Sequence, residues 1–104
     1  MYSTSNGNSP NGPMLDFPLW EVKGSWESRE GSPKVRIYRN TRCKHGGYYV
    51  ELSYDEHTVF HCPIRKRYGG VRYFDLYGSI GLAYDSRRDV LQLSEYGNYY
   101  RVEE

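Results

Sequence analysis

The chain has 104 residues and a formal net charge of +1, enough for one domain with a modest core and too balanced to draw in nucleic acid or membrane by its overall field. No apolar run approaches the roughly 18 residues that cross a bilayer as a helix, and no charged-then-apolar leader opens the chain. Two cysteines are too few for a disulfide scaffold. The aromatic set is twelve tyrosines with three phenylalanines and two tryptophans, a composition suited to thin sheets whose side chains are half wet.

Charge is uneven along the chain. Residues 1–33 sum to −2, residues 34–72 to +6 and residues 73–104 to −3. The middle strands are therefore expected to present a basic face. If Met1 is the native start, the expectation is a cytoplasmic protein. If Met1 stands in for a longer natural N-terminus, the Ser/Asn/Gly-rich opening suits the tether of an exported lipoprotein domain.

Residues 1–13 hold Ser, Asn, Gly and two prolines, a composition with too little apolar surface to order itself, and read as a flexible tail. The single domain is expected over 14–104. Met14 to Trp20 is apolar and broken by proline, which predicts a short helical turn plugging one end of the fold, with Phe17 and Trp20 inward. From Val22 onward, turn signals recur about every ten residues, and no stretch sustains a helical period.

The first strand is predicted near 22–28 and the second over 34–40, with Val35 and Ile37 inward. Gly24 supplies a tight bend at the start of the first strand. The hairpin of 48–64 has the sharpest register. Pairing Leu52 with Phe60, Val50 with Cys62 and Tyr48 with Ile64 puts every apolar member inside, around an Asp55-Glu56-His57 loop with Tyr54 opposite Thr58. A slip of one residue would bury His61 and Arg65 instead.

Residues 65–70 read as a basic loop. Strands follow at 71–77 (Phe74 and Leu76 on one face), 79–84 (Ile80, Leu82, Tyr84), 89–94 (Leu91, Leu93) and 99–103. Eight hairpin-linked strands close most naturally as a small antiparallel up-and-down barrel with a disordered N-terminal arm. Trp26 would floor this barrel, with Arg101 of the last strand lying across its indole and fastening last strand to first.

Three surfaces could carry function. Inside, Ile37, Val50, Leu52, Phe60, Phe74, Leu82, Tyr84 and Leu91 could line a site for a small apolar ligand, although eight strands enclose a space that side chains just fill. Outside, Arg36, Arg39, Arg65, Lys66, Arg67 and Arg72 could form a basic face, with Tyr38, Tyr49 and Tyr68 as stacking platforms for a single nucleic-acid strand. The blander reading is cations that keep an exposed sheet soluble. Third, Cys43, His45, His61 and Cys62 are residue types that bind zinc, but Cys62 points in while adjacent His61 points out. Neither a metal site nor a disulfide is expected, and no cofactor.

Catalysis finds no support either. No nucleophile elbow, phosphate loop or dinucleotide fingerprint occurs, and Asp55-Glu56 sits in a solvated turn where no raised carboxyl pKa is expected.

Gly24-Ser25-Trp26 with Tyr99-Tyr100-Arg101 resembles the first-strand and last-strand signature of the lipocalin-type calycin barrels. A longer similarity covers roughly residues 19–102. Gly24-Ser25-Trp26-Glu27-Ser28, Val35-Arg36-Ile37-Tyr38-Arg39, Ile80-Gly81-Leu82-Ala83-Tyr84-Asp85, Asp89-Val90-Leu91-Gln92-Leu93-Ser94 and Gly97-Asn98-Tyr99-Tyr100-Arg101 run in that order. The string is similar to a family of small gut-bacterial proteins of uncharacterised function, some encoded on conjugative transposons and some exported as lipoproteins. That resemblance implies no catalytic residues. The expectation is a monomeric, lipocalin-like barrel acting as a non-catalytic accessory or interaction module with an unidentified protein partner. The alternatives are a carrier of a small apolar ligand and, less favoured, a single-strand binder.

Overall fold

Alternation of apolar and polar residues along short runs yields strands with one dry and one wet face, and the observed structure is built of these almost throughout. A computed structural model describes residues 15–40, 42, 47–67 and 69–102. The flexible tail expected over 1–13, together with Cys43, His45 and Tyr68, lies outside the described residues.

A 3-10 helix, Leu19–Val22, precedes nine strands: β1 (Gly24–Ser28), β2 (Lys34–Arg39), β3 (Tyr48–Ser53), β4 (Val59–Pro63), β5 (Arg65–Lys66), β6 (Arg72–Asp75), β7 (Ser79–Asp85), β8 (Val90–Leu93) and β9 (Gly97–Arg101). All join one antiparallel sheet in the order β4-β3-β2-β1-β9-β8-β7-β6-β5. The sheet curls into a nearly closed up-and-down barrel, with the last strand paired to the first through Trp26↔Arg101, Glu27↔Tyr100 and Ser28↔Tyr99. Among the described residues there is no α-helix.

The hairpin register is as expected: Leu52↔Phe60 and Val50↔Cys62 are direct partners, Ile64 N–H donates to the Tyr48 carbonyl, and Tyr54 N–H donates to the Thr58 carbonyl. Gly24 adopts φ +132°, the bend that frees β1 from the preceding turn.

The ninth strand arises from a break at Pro63-Ile64. In the β5–β6 pair, Arg67 N–H donates to the Val71 carbonyl and Arg65 faces Tyr73, so the next hydrogen-bonded pair would set Pro63 against Asp75. Proline has no N–H to give there. The ladder ends at Arg65, and a run expected as a loop plus one strand becomes β4, held by β3, and β5, held by β6. The seam this leaves between β4 and β6 is spanned by the Phe60 and Tyr77 rings, edge to face at 6.1 Å.

Other boundaries shift for local reasons. The strand expected over 71–77 stops at Asp75, because Tyr77 (φ +55°) and Gly78 (φ +124°) form the turn. The last strand starts at Gly97 rather than residue 99, since Glu95 (φ +73°) turns the chain early. At the N-terminal plug, Phe17 and Val22 are buried, but Trp20 is 66% exposed. A one-turn 3-10 helix seats only one side of itself, and Val22 has taken it.

Phe17, Val22, Trp26, Ile37, Val50, Leu52, Phe74, Ile80, Leu82, Leu91 and Tyr99 form one contiguous core with almost no exposure. Complete burial of a side chain of this size stabilises by about 1.5–3 kcal/mol, so this core carries the fold.

Candidate functional site

The barrel has a closed and an open end. At the closed end, the indole Nε1 of Trp26 donates to the Val22 carbonyl at 2.8 Å, tying the 3-10 helix to the barrel floor. The Arg101 guanidinium lies 4.4 Å over the indole and donates to the carbonyls of Glu21 (2.7 Å) and Lys23 (3.0 Å). It also forks onto Asp89, with contacts of 2.7 and 3.0 Å. Tyr84 donates to the same carboxylate at 2.7 Å. Hydrogen bonds from Arg101 hold the Asp89 carboxyl below its ordinary range, and they raise the arginine in turn. Gly24, Trp26 and Arg101 thus meet as the sequence indicated; a Cβ on Gly24 would lie 3.4 Å from the Arg101 guanidinium. The sequence does not single out Asp89, because nothing local marks a turn aspartate as the partner of an arginine twelve residues on.

The inner-face residues proposed as a ligand site are packed against one another. Ile37, Val50, Leu52, Phe74, Leu82, Tyr84 and Leu91 are buried in the common core, with Phe17 filling toward Tyr84 at 5.8 Å. Phe60 is only partly buried and stands at the seam, edge-on to Tyr54 at 5.8 Å. Cys62 carries a free, buried thiol whose pKa is raised by burial, with the Asp75 charge adding to it.

The six cations proposed as one basic face are dispersed. Arg36 is bound by Glu51 at 2.8 Å and lies over the Tyr38 ring. Its hydrogen bond holds the Glu51 carboxyl low. Arg72 shares the inner face with Phe74; it donates to the Phe17 carbonyl at 3.0 Å and approaches Asp16 at 3.7 Å, so it anchors the plug and leaves the surface set. Alternation from Phe74 required this, since residues two apart on a strand share a face. Arg67 lies over Tyr73 at 4.4 Å and reaches the Ser79 hydroxyl. Arg39, Arg65 and Lys66 are exposed near the closed end.

On the outer wall, Tyr38 and Tyr49 stack at 5.8 Å, and the Tyr38 hydroxyl meets His61 Nδ1 at 3.1 Å. Asp55 accepts from the backbone N–H groups of His57 and Thr58, which lowers its pKa; the turn holds an ionised carboxylate, with no sign of a raised general acid.

The open end is where sequence reasoning missed a candidate surface. The Tyr54 and Tyr96 hydroxyls share a hydrogen bond of 2.8 Å, and the Ser32 hydroxyl donates to the Tyr96 carbonyl. Tyr54 remains 44% exposed and Tyr77 88% exposed, on either side of Phe60. Beside them lies a cleft of about 660 Å³ formed by the β1–β2 and β3–β4 turns, including Pro33, Lys34, Tyr54, Asp55, Glu56 and Val59. The available signal was placement: Tyr54 and Tyr77 both sit at turns opening toward the same end.

No family model, curated protein or solved structure matches the chain. The candidate surfaces therefore rest on geometry and residue chemistry.

Proposed function

We propose that the protein is a non-catalytic interaction module that grips a polypeptide partner at its open end, through the aromatic rim of Tyr54, Phe60, Tyr77 and Tyr96 and the adjoining cleft. The observation that carries this reading is Tyr77. A large ring 88% exposed, on a residue held at φ +55°, is costly to place in water and is braced there by Phe60. Exposed tyrosines give broad contact area at small entropic cost, as binding surfaces require.

The partner's chemistry follows from charge. Glu30, Asp55, Glu56 and Glu95 surround this end against Arg29 and Lys34, so a segment carrying Lys or Arg beside apolar residues is the complement. A packed interior favours the outside of the barrel over a lipocalin-like carrier role. The resemblance of five ordered segments to a family of small gut-bacterial proteins, some of them encoded on conjugative transposons, supports an accessory role.

The test is titration of the full chain with arrayed Lys/Arg-rich and Glu-rich peptides, repeated on Tyr54→Ala and Tyr77→Ala. Selective binding of basic peptides, weakened at least about tenfold by either substitution, is expected for a rim anchor. Native mass spectra showing a retained fatty acid, with both rim variants behaving as wild type, would place function inside the barrel instead.

A further inference from the structure

The closed end combines two features that the fold does not require. Trp20, 66% exposed, and Leu15, 51% exposed, face solvent on the outer side of the plug. Around the same end stand Lys23, Arg42, Arg65, Lys66, Arg87 and Arg88, all exposed. Their common location follows from strand register, which sets the β2–β3 loop carrying Arg42 beside the start of β1, and from contacts. Arg101 holds the carbonyls of Glu21 and Lys23 and the Asp89 carboxylate, which places the 86–89 turn beside the plug. Lys66 is paired with Arg72, whose guanidinium holds the Phe17 carbonyl.

Among the described residues, the acids nearest this end have cationic or backbone neighbours. Asp89 is bound by Arg101, Asp16 is near Arg72, and Asp85 is buried, accepting from the backbone of its own turn and contacting Arg88 at 3.8 Å. Glu21 is half-buried. At the opposite end Glu30, Asp55, Glu56 and Glu95 are exposed.

We propose that this end is a peripheral docking face for an anionic lipid surface, with Trp20 and Leu15 entering the headgroup layer and the surrounding cations meeting lipid phosphates. An exposed indole and an exposed leucine on one plug, at an end that also carries long basic side chains, are the chemistry of interfacial attachment. Attraction to anionic lipid sums over cations near the surface. A nucleic-acid strand would use the same cations and could stack on Trp20, but it gives no role to the exposed Leu15. The acidic open end would be turned away from the membrane, leaving the aromatic rim free; the two surfaces are independent.

The full chain supplies its own reporter. Trp26 is wholly buried, so a fluorescence change on binding comes from Trp20. Mixed with phosphatidylcholine vesicles containing phosphatidylglycerol, the protein is expected to co-sediment and to show blue-shifted emission. Pure phosphatidylcholine vesicles should give neither result. Trp20→Ala should abolish the shift and weaken binding by about tenfold, given the apolar area withdrawn. Arg65→Ala and Lys66→Ala should each weaken it by about fivefold, and high salt should weaken it further.

No co-sedimentation with phosphatidylglycerol vesicles at low salt would overturn the proposal. So would binding unchanged by Trp20→Ala. Complete displacement from the vesicles by inorganic phosphate or a single-stranded oligonucleotide, without any Trp20 shift beforehand, would assign the cations to phosphate alone and sink the lipid reading.

Discussion

Replacing Arg101 by alanine should remove a side chain that joins the last strand, the β7–β8 turn and the N-terminal plug. Its guanidinium stacks on Trp26 at 4.4 Å, an interaction worth about 0.5–2 kcal/mol. Hydrogen bonds to the Glu21 and Lys23 carbonyls, at 2.7 and 3.0 Å, add about 1 kcal/mol net, since water can replace part of what is lost. The Asp89 pair is short, but its partners are 30% and 42% exposed, so screening limits it to about 0.5–1 kcal/mol. Together these predict a loss of about 3 kcal/mol, read as a lowered urea midpoint at unchanged slope.

The same variant should alter the acid limb. Asp89 is depressed in the folded state, so its contribution is present above the ordinary carboxyl value of 3.8 and is lost as pH falls through the folded value. Arg101→Ala removes the main cause of that depression, so the mutant should lose less stability between neutral and acid pH than wild type. Arg101→Lys keeps the charge without the fork and should recover only part of the loss. A destabilisation below about 0.5 kcal/mol, or an acid profile parallel to wild type, would refute the assignment of Arg101 as the barrel's fastening.

Tyr99 is fully buried and donates to the Pro33 carbonyl at 2.7 Å; burial pushes its pKa up to about 12. A raised tyrosine stabilises fully below the unfolded value of 10, and that stability is lost as pH rises through the folded value. Tyr99→Phe should therefore cost about 1 kcal/mol at neutral pH and flatten the alkaline loss of stability seen by circular dichroism. Pro63→Val restores an N–H opposite Asp75, and hydrogen exchange should show new protection at residue 63 if the β5–β6 ladder extends into the seam. Glu95→Gly relieves a left-handed φ of +73° and should raise stability by up to about 1 kcal/mol, measured by thermal unfolding.

Legibility differed by residue. The 48–64 hairpin could be registered from sequence because both strands offer one apolar face, and a slip exposes all of it. Arg72 was legible too, by alternation from Phe74, but a basic run in the sequence hides that one of its members points in. Trp20 was not legible, because a one-turn helix has too few residues for periodicity to choose a face. The aromatic rim and the cationic closed end each gather residues from separate turns, so neither exists until the sheet has curled.

What the amino-acid order decided alone is which side of each strand is dry, and that Trp26 and Arg101 belong at matching positions on the first and last strands. Side-chain alternation is a property of neighbours two residues apart, and burial enforces it wherever the strand lies. Where the ladder parts at Pro63, which tryptophan is buried and which exposed, and how charge divides between the two ends were decided by closure of the barrel. Closure couples residues far apart in sequence, and only the folded sheet determines which of them share an end.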